Sequence, residues 1–344
     1  MRVRFFPAGR AGWAWLAFRL VVLAAVSVMV LRWCTRMPGR ARPEVPPAAS
    51  PREAAAAERI RAHVAALASG IGERHLGRPE ALEAAARAIE TALAREGLQV
   101  RREVFVAAGR RVANIVAEPP GPPPGEGWIV VGAHYDTVPG SPGANDNASG
   151  VAVLIETARL LAGRRLDPAP RFVAFVNEEP PWFRTEAMGS RVHVRRAMER
   201  GDRMVGMLAL ETVGCYSSEP GRQRYPFPLG YFYPDRADFV AFVAMPGARR
   251  LLRRAVAAFR AAARLPSEVL LAPAWVPGVD WSDHASFQAA GIPAVMVTDT
   301  AFYRDPHYHR ATDTPERLDA RSMARLALGL AGMLRRLGGD APPP

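Results

Sequence analysis

The chain has 344 residues, 49% of them hydrophobic, and a formal net charge of +12. This length and composition are typical of a globular protein with one large buried core and additional terminal segments. All 45 basic residues are arginines, and they are scattered rather than gathered with aromatic residues in one stripe, so the charge predicts no nucleic-acid partner.

The N-terminal region is predicted to be a membrane anchor. Residues 11–31 are apolar apart from Arg19 and a few small residues, and about twenty such residues span a bilayer as a helix. Arginines precede this segment, but no small-residue cleavage site follows it, which favours an uncleaved signal anchor. Arginines also follow it, which weakens the charge asymmetry that sets orientation. We expect residues 1–37 to anchor the chain, with the following domain on the periplasmic or extracellular side.

The next segment, residues 38–51, is rich in Pro, Ala and Arg without periodicity and is predicted to be a linker. The folded domain is expected over residues 52–338, before a disordered tail at 339–344. Its first predicted elements are two amphipathic helices and a pair of strands, over residues 52–69, 79–96, 100–107 and 112–118.

After a turn-rich break at residues 119–127, apolar strands alternate with helices. Buried strands separated by helices predict an α/β fold with a mixed, mostly parallel central sheet and helices on both faces. The strands are expected over residues 128–133, 171–176, 207–210 and 292–297, and the helices over residues 148–161 and 321–337.

Acidic and imidazole side chains follow several of these strands directly. Because open α/β sheets bind ligands outside the carboxyl ends of their strands, these side chains are expected to converge at one edge of the sheet. They are His134 and Asp136 after the first strand, Glu178 and Glu179 after the second, Glu211 at the end of the third, and Asp146 in the turn before the next helix.

This set of residues predicts a site that binds two metal ions. A metal-bound imidazole usually donates its other N–H to a carboxylate, so Asp136 is expected to support His134 rather than bind metal. Adjacent glutamates point in different directions, so one of Glu178 and Glu179 can bind metal while the other acts as a general base. Asp146 is expected to bridge two ions about 3.5–4 Å apart. Such a site promotes the attack of water on a carbonyl group.

The motifs resemble those of the M28 family of zinc aminopeptidases, in order over residues 52–337. The matching segments are residues 132–138, 143–150, 177–179, 282–284 and 308–314. The resemblance implies the fold of the zinc-dependent exopeptidases and two Zn²⁺ ions. It also implies the site roles: His134 and Glu211 bind the first zinc, Glu179 and His309 the second, Asp146 bridges both, Glu178 is the general base and Asp136 supports His134.

The identities of two predicted ligands, His309 and Glu211, rest on comparison with the family pattern. His309 is preferred to His307 because it stands four residues before Asp313, as the family's ligand does. Many family members have Asp where this chain has Glu211, whose longer side chain can still coordinate a metal. The roles of Asp283 and His284 stay open between orienting the substrate and capping a helix.

The resemblance implies peptide substrates with a free N-terminus. Residues 216–238, dense in Pro and aromatic residues, are expected to form a loop over the pocket. Two alternatives remain: a glutaminyl cyclase, which shares the fold but binds one zinc, and a non-catalytic membrane-tethered binding domain. The sequence does not define the oligomeric state.

Overall fold

The computed structural model describes residues 9–35, 37–42 and 48–339. The arginines before residue 9, Arg36, and residues 340–344 of the predicted tail lie outside this part of the chain. Helix α1 (Gly9–Thr35) includes an apolar segment of 22 residues, Gly9–Val30, that is long enough to cross a membrane. The predicted N-terminal apolar helix is therefore confirmed.

Two helices open the folded domain. Helix α2 (Pro51–Ala65) begins with a capping box, in which Ser50 and Glu53 each accept the other's backbone N–H. A wider helical turn extends it to Ile71. Helix α3 (Pro79–Arg95) begins with a proline, which lacks the N–H that a first turn leaves unpaired anyway. Both helices bury their apolar faces in the main core.

The centre of the domain is one sheet of eight strands in the order β1-β2-β4-β3-β5-β8-β6-β7. Strands β4, β3, β5 and β8 run parallel, as do β6 and β7, whereas the β1–β2, β2–β4 and β6–β8 pairs are antiparallel. The predicted mixed, mostly parallel sheet is therefore confirmed. The strands are β1 (Gln99–Ala107), β2 (Arg110–Glu118), β3 (Trp128–His134), β4 (Ala169–Phe175), β5 (Met204–Glu211), β6 (Val240–Ala244), β7 (Ser267–Leu271) and β8 (Ala294–Thr298).

Helices cover both faces of this sheet, as predicted. On one face α2, α3, α4, α6 and α8 bury one large apolar core. On the other face, Val194 of α5 and Phe287 of α7 pack against Val130 and Phe175 of the central strands. The remaining helices are α4 (Gly150–Leu161), α5 (Gly189–Glu199), α6 (Arg249–Ala262), α7 (His284–Ala289) and α8 (Ala320–Leu337).

The predicted elements are present with ends shifted by a few residues, but several observed elements had no prediction. Strands β6 and β7 are only five residues long. Runs this short carry no periodicity that separates a strand from a buried loop. These two strands form one end of the sheet, next to the predicted site, and α6 packs against β6.

Candidate metal centre

The structure brings the predicted site residues together at the carboxyl edge of the parallel strands. His134 ends β3, Glu211 ends β5, and Glu178 and Glu179 follow β4 after two residues. Asp146 lies in an irregular turn before α4, at Ala144–Ser149. His309 comes from the loop between β8 and α8 and has a left-handed backbone with φ of 60°. Ligand-type side chains from five separate segments thus meet at one place.

One group of donor atoms surrounds the His134 imidazole. Its Nε2 atom lies 3.2 Å from Asp146 Oδ1, 3.4 Å from Glu211 Oε2 and 3.9 Å from Glu178 Oε2. All four side chains are buried. Ser282 donates a hydrogen bond to Glu211 Oε2 at 2.8 Å, which holds that carboxylate in place. This group offers an imidazole nitrogen and carboxylate oxygens, the donor types that zinc prefers.

A second group surrounds the His309 imidazole. Its Nε2 atom lies 3.0 Å from Asp146 Oδ2 and 3.3 Å from Glu179 Oε2. Asp146 therefore presents one carboxylate oxygen to each imidazole. His307, the alternative ligand, points elsewhere, because its Nδ1 atom lies 2.7 Å from the Thr312 hydroxyl.

The residues present fit bound cations. His134 Nε2, both carboxylate oxygens of Asp146 and Glu179 Oε1 are buried and have no hydrogen-bond partner among the described residues. One donor atom each from His134, Asp146 and Glu179 lies within 4.8 Å of the others. Buried polar atoms without partners are costly, and a metal ion satisfies such atoms directly.

The charges in the site also favour bound cations. Burial alone would lower the pKa of His134, but the carboxylates of Glu211 and Glu178 raise it well above its usual value. Burial, reinforced by the charge of Asp146, raises the pKa of Glu179 to about 8. The shift of His134, and the part of the Glu179 shift that comes from Asp146, reflect carboxylates crowded together, an excess of negative charge that a divalent cation relieves.

Two aspartates that are not in the donor groups hold the ligand-bearing loops. The Asp136 carboxylate accepts the backbone N–H groups of Glu178 and Glu179, both at 3.1 Å. The His134 Nδ1 atom lies 3.2 Å from the backbone carbonyl of Asp136 and 3.7 Å from its carboxylate. Asp136 thus contacts Nδ1 of the His134 ring and also positions both glutamates. The sequence predicted the first of these roles but not the second.

Asp313 does the same for the loop that carries Asp146. Its two carboxylate oxygens accept the backbone N–H groups of Asn145 at 2.8 Å and of Asp146 at 3.0 Å. The Asn147 side chain donates to the carbonyl of Leu210 and accepts the N–H of Thr212. These bonds tie the Asp146 turn to the end of β5 beside Glu211.

Arg74 is a site-supporting residue that sequence reasoning missed. Its fully buried guanidinium donates to the carbonyls of Tyr135 and Pro142, both at 2.6 Å, and of Gly143 at 2.9 Å. Burial lowers its pKa to about 10, which the nearby carboxylates only partly offset. Arg74 therefore fixes the loop between His134 and Asp146. A single arginine in an arginine-rich chain gave no local signal of this role.

His284 and Cys215 have structural surroundings, whereas the buried carboxylate of Asp283 has no hydrogen-bond partner among the described residues. The His284 ring donates to the Val279 carbonyl at 2.8 Å, and burial lowers its pKa to about 4, so it is a neutral core residue. Asp283 does not cap α7 with its side chain. Burial and the charge of nearby Asp299 raise the pKa of the Cys215 thiol, which disfavours the reactive thiolate.

The loop at residues 216–238 lies over an apolar pocket that reaches the site. Tyr225, Leu229 and Tyr233 from this loop line one side, and Glu211 and Tyr308 lie at the end nearest the predicted metal ligands. The expected position of the loop is therefore observed.

The amino-acid sequence matches a known protein family and several of its relatives. The model of "Peptidase family M28" matches residues 114–334. The protein YfbL of Escherichia coli (strain K12) is 41% identical over 254 residues, 68% of this chain and 77% of that protein. A "Probable leucine aminopeptidase" of Trichophyton verrucosum is 27% identical over 236 residues, and the match spans 57% of its length.

Solved structures share the fold. A zinc aminopeptidase from Bacillus subtilis superposes with a TM-score of 0.63 at 17% identity, covering 82% of this chain and 95% of that chain. A glutaminyl cyclase from Fimbriiglobus ruber superposes with a TM-score of 0.59 at 20% identity, covering 86% and 99%. At the level of the family, the sequence prediction of a metallo-aminopeptidase, a hydrolase, is confirmed. The chain belongs to peptidase family M28.

Proposed function

We propose that this protein is a zinc aminopeptidase that removes the N-terminal residue of peptides at a two-metal site. The observation that carries the proposal is Asp146, whose two oxygens face two separate groups, His134 with Glu211 and His309 with Glu179. A carboxylate shared in this way is the arrangement that a bridging ligand requires.

When bound by these ligands, zinc supplies Lewis acidity toward water and toward a carbonyl oxygen. The chain's own residues do the rest. Glu178, beside the His134 group and next in sequence to Glu179, takes a proton from the attacking water and returns it to the leaving amine. Asp136 holds Glu178 in position through the hydrogen bond to its backbone N–H.

The free amino group of the substrate sits against the carboxylates of the site, which selects peptides with an unblocked N-terminus. The adjacent apolar pocket receives the side chain of the N-terminal residue. This arrangement is consistent with the named activity of the T. verrucosum relative, although the match spans little more than half of that protein.

The test measures metal content and substrate class together. The full chain, purified in detergent, is expected to hold two zinc ions and to hydrolyse L-leucine 4-nitroanilide but not its N-acetylated form. A chelator is expected to abolish the hydrolysis and added zinc to restore it. Equal cleavage of the blocked and free substrates contradicts the aminopeptidase proposal.

A glutaminyl cyclase is the second candidate because the F. ruber cyclase shares the fold. The two classes differ in products. A cyclase converts a peptide with N-terminal Gln to the cyclic product and releases ammonia without cutting a peptide bond. One zinc per chain together with ammonia release would favour this alternative.

We further propose that helix α1 anchors the protein with its catalytic domain outside the cytoplasm. The support is the apolar Gly9–Val30 segment, together with the arginines that precede it in the sequence. Protease added to intact cells or spheroplasts is expected to digest the domain. Digestion only after the cytoplasmic membrane is opened would reverse the orientation.

A further inference from the structure

The apolar pocket beside the site ends at a partly buried carboxylate that the peptidase chemistry does not use. The pocket lies between the loop at residues 216–238 and one face of the sheet, and its lining is mostly aliphatic and aromatic. Glu268 of β7 lines it as well. Only 18% of this side chain is exposed.

Sheet register links Glu268 to the metal centre. Glu211 of β5 pairs with Thr298 of β8, Thr298 with Ala241 of β6, and Ala241 with Glu268 of β7. Residues paired in this way point to the same face of a sheet, and all four line the pocket. With about 4.8 Å between strands, the backbone of Glu268 lies roughly 14 Å from that of Glu211. The pocket therefore runs from a predicted metal ligand to Glu268.

A cation from the segment after the membrane helix faces Glu268 from outside the pocket. Arg42 binds Asp238 through two hydrogen bonds, at 2.9 and 3.0 Å, and its Nε atom lies 3.8 Å from Glu268 Oε1. Asp238 is thus fully paired. Glu268 accepts no hydrogen bond from any described residue. Arg42 is the positive charge that acts on it most strongly, followed by Arg260, while the negative charge of Asp238 acts in the opposite direction.

Arg42 is fixed in place by its own segment. The Ala41 carbonyl accepts the backbone N–H of Ser267 at 2.8 Å, next to Glu268 in β7. Arg260 of α6 donates to the carbonyls of Met37 and Pro38, both at 3.1 Å. Residues 37–42 therefore pack along the edge of the sheet.

We propose that Arg42 sets the side-chain specificity of the pocket by shielding Glu268, so that the intact chain prefers an apolar N-terminal residue over a cationic one. A substrate side chain ending in a guanidinium or ammonium group meets the positive charge of Arg42 close behind Glu268. Without Arg42, which acts on Glu268 more strongly than Arg260 does, the less shielded carboxylate at the end of an apolar passage suits a side chain with an apolar stem and a cationic end. This inference rests on the proposed aminopeptidase function.

The test compares kcat/KM for the 4-nitroanilides of L-leucine and L-arginine in the full chain. The Arg42→Ala variant is expected to raise the arginine-to-leucine ratio about tenfold, a change of about 1.4 kcal/mol. The Arg42→Lys variant keeps the charge and is expected to keep the ratio. In the Arg42→Ala/Glu268→Gln double variant the ratio is expected to return close to its original value.

The matched control is Arg264→Ala, an exposed arginine just before β7 with no ion pair among the described residues. It is expected to leave the ratio unchanged. A ratio within about twofold of the original in folded Arg42→Ala overturns the proposal, as does an increase that persists in the double variant. If Arg42→Ala does not fold, the Glu268→Gln variant alone decides, since it is expected to lower the ratio.

Measurements of ligand binding test the pocket inference independently of the proposed aminopeptidase function. Calorimetry measures how tightly L-leucinamide and L-argininamide bind. The chains used also carry Glu178→Gln, so that binding is measured without turnover. Arg42→Ala is expected to strengthen argininamide binding relative to leucinamide. If the chain with Glu178 intact hydrolyses neither nitroanilide but this change in binding is seen, the pocket inference is supported and the aminopeptidase proposal is overturned. Equal binding in both forms overturns the pocket inference alone.

Discussion

Glu178 is the residue on which the proposed chemistry depends most directly. Its carboxylate is buried 3.9 Å from His134 Nε2, farther than the Asp146 and Glu211 oxygens that face the same nitrogen at 3.2 and 3.4 Å. Replacing it by Gln keeps the shape but removes the ability to take a proton. We expect Glu178→Gln to lower kcat by about 10²–10⁴-fold, with zinc content unchanged by elemental analysis.

The control for this prediction is Glu186→Gln, an exposed glutamate in the same loop that pairs with Arg191 and Arg195. It is expected to retain full activity. A Glu178→Gln rate within about threefold of the original contradicts the general-base role, since positioned bases contribute far more than this.

A second residue-scale prediction concerns stability rather than catalysis. Glu103 of β1 is buried and accepts hydrogen bonds from Asn114 at 2.9 Å and from the His193 ring at 3.1 Å. Burial alone would raise its pKa, but these bonds and the nearby arginines lower it from 4.5 to about 2. The folded protein therefore releases this proton more readily than the unfolded chain. The stability gained is fully present above pH 4.5 and is lost as the pH falls toward 2.

We expect Glu103→Gln, which has no such proton, to be less stable than the original at pH 7 by roughly 2–3 kcal/mol. The difference is expected to shrink as the pH falls below 4.5. Denaturant unfolding at pH 7 and at pH 3.5 measures it. A difference that is constant with pH shows that the ionised Glu103 contributes nothing specific.

At the scale of elements, the site depends on loops held by carboxylates rather than on the strands alone. Asp313 accepts two consecutive backbone N–H groups in the turn that carries Asp146. Asn in its place has only one acceptor oxygen. One of the two backbone N–H groups would therefore face the side-chain NH₂ group, which is a donor and cannot accept it. We expect Asp313→Asn to weaken zinc binding about 10–100-fold, as changes behind metal ligands usually do, measured by competition with a chromogenic chelator.

Asp319 provides a matched control for this prediction. It also accepts two backbone N–H groups, those of Arg321 and Ser322, but at the start of α8. Asn is a good residue at such a helix start, so Asp319→Asn is expected to leave both stability and zinc binding nearly unchanged. Equal loss of zinc from both variants would mean that Asp313 acts only through general stability.

Elements with a local signal could be predicted from the sequence, and those defined by distant partners could not. Strands β3 and β5 are apolar runs that end in His134 and Glu211, so both the strand and the polar residue at its end are visible in sequence. In contrast, Arg74 binds the carbonyl of a residue 61 positions away, and Arg42 binds a side chain 196 positions away. No spacing rule connects such pairs, because only the fold brings them together.

At the scale of the whole molecule, residues 37–42, which come after the apolar helix α1, pack against the domain. Trp33 near the end of α1 lies under the Arg249 guanidinium, 4.2 Å from the ring centre. Residues 37–42 then follow the edge of the sheet. The prediction of a plain linker over residues 38–51 did not include these contacts. Helix α1 therefore joins a surface next to the pocket rather than a remote end of the domain.

This arrangement predicts that the position of a truncation matters. A chain that begins at residue 37 keeps the hydrogen bond from Ser267 to Ala41 and the ion pair of Arg42 with Asp238, whereas one that begins at residue 48 loses both. We expect the longer form to unfold about 2–6 °C higher, as one or two kcal/mol implies for a domain of this size, measured by scanning calorimetry. Arg42→Ala in the longer form separates the two contributions, since it removes the ion pair and leaves the backbone hydrogen bond. Equal unfolding temperatures for the two truncations would mean that residues 37–42 lie along the sheet without stabilising it.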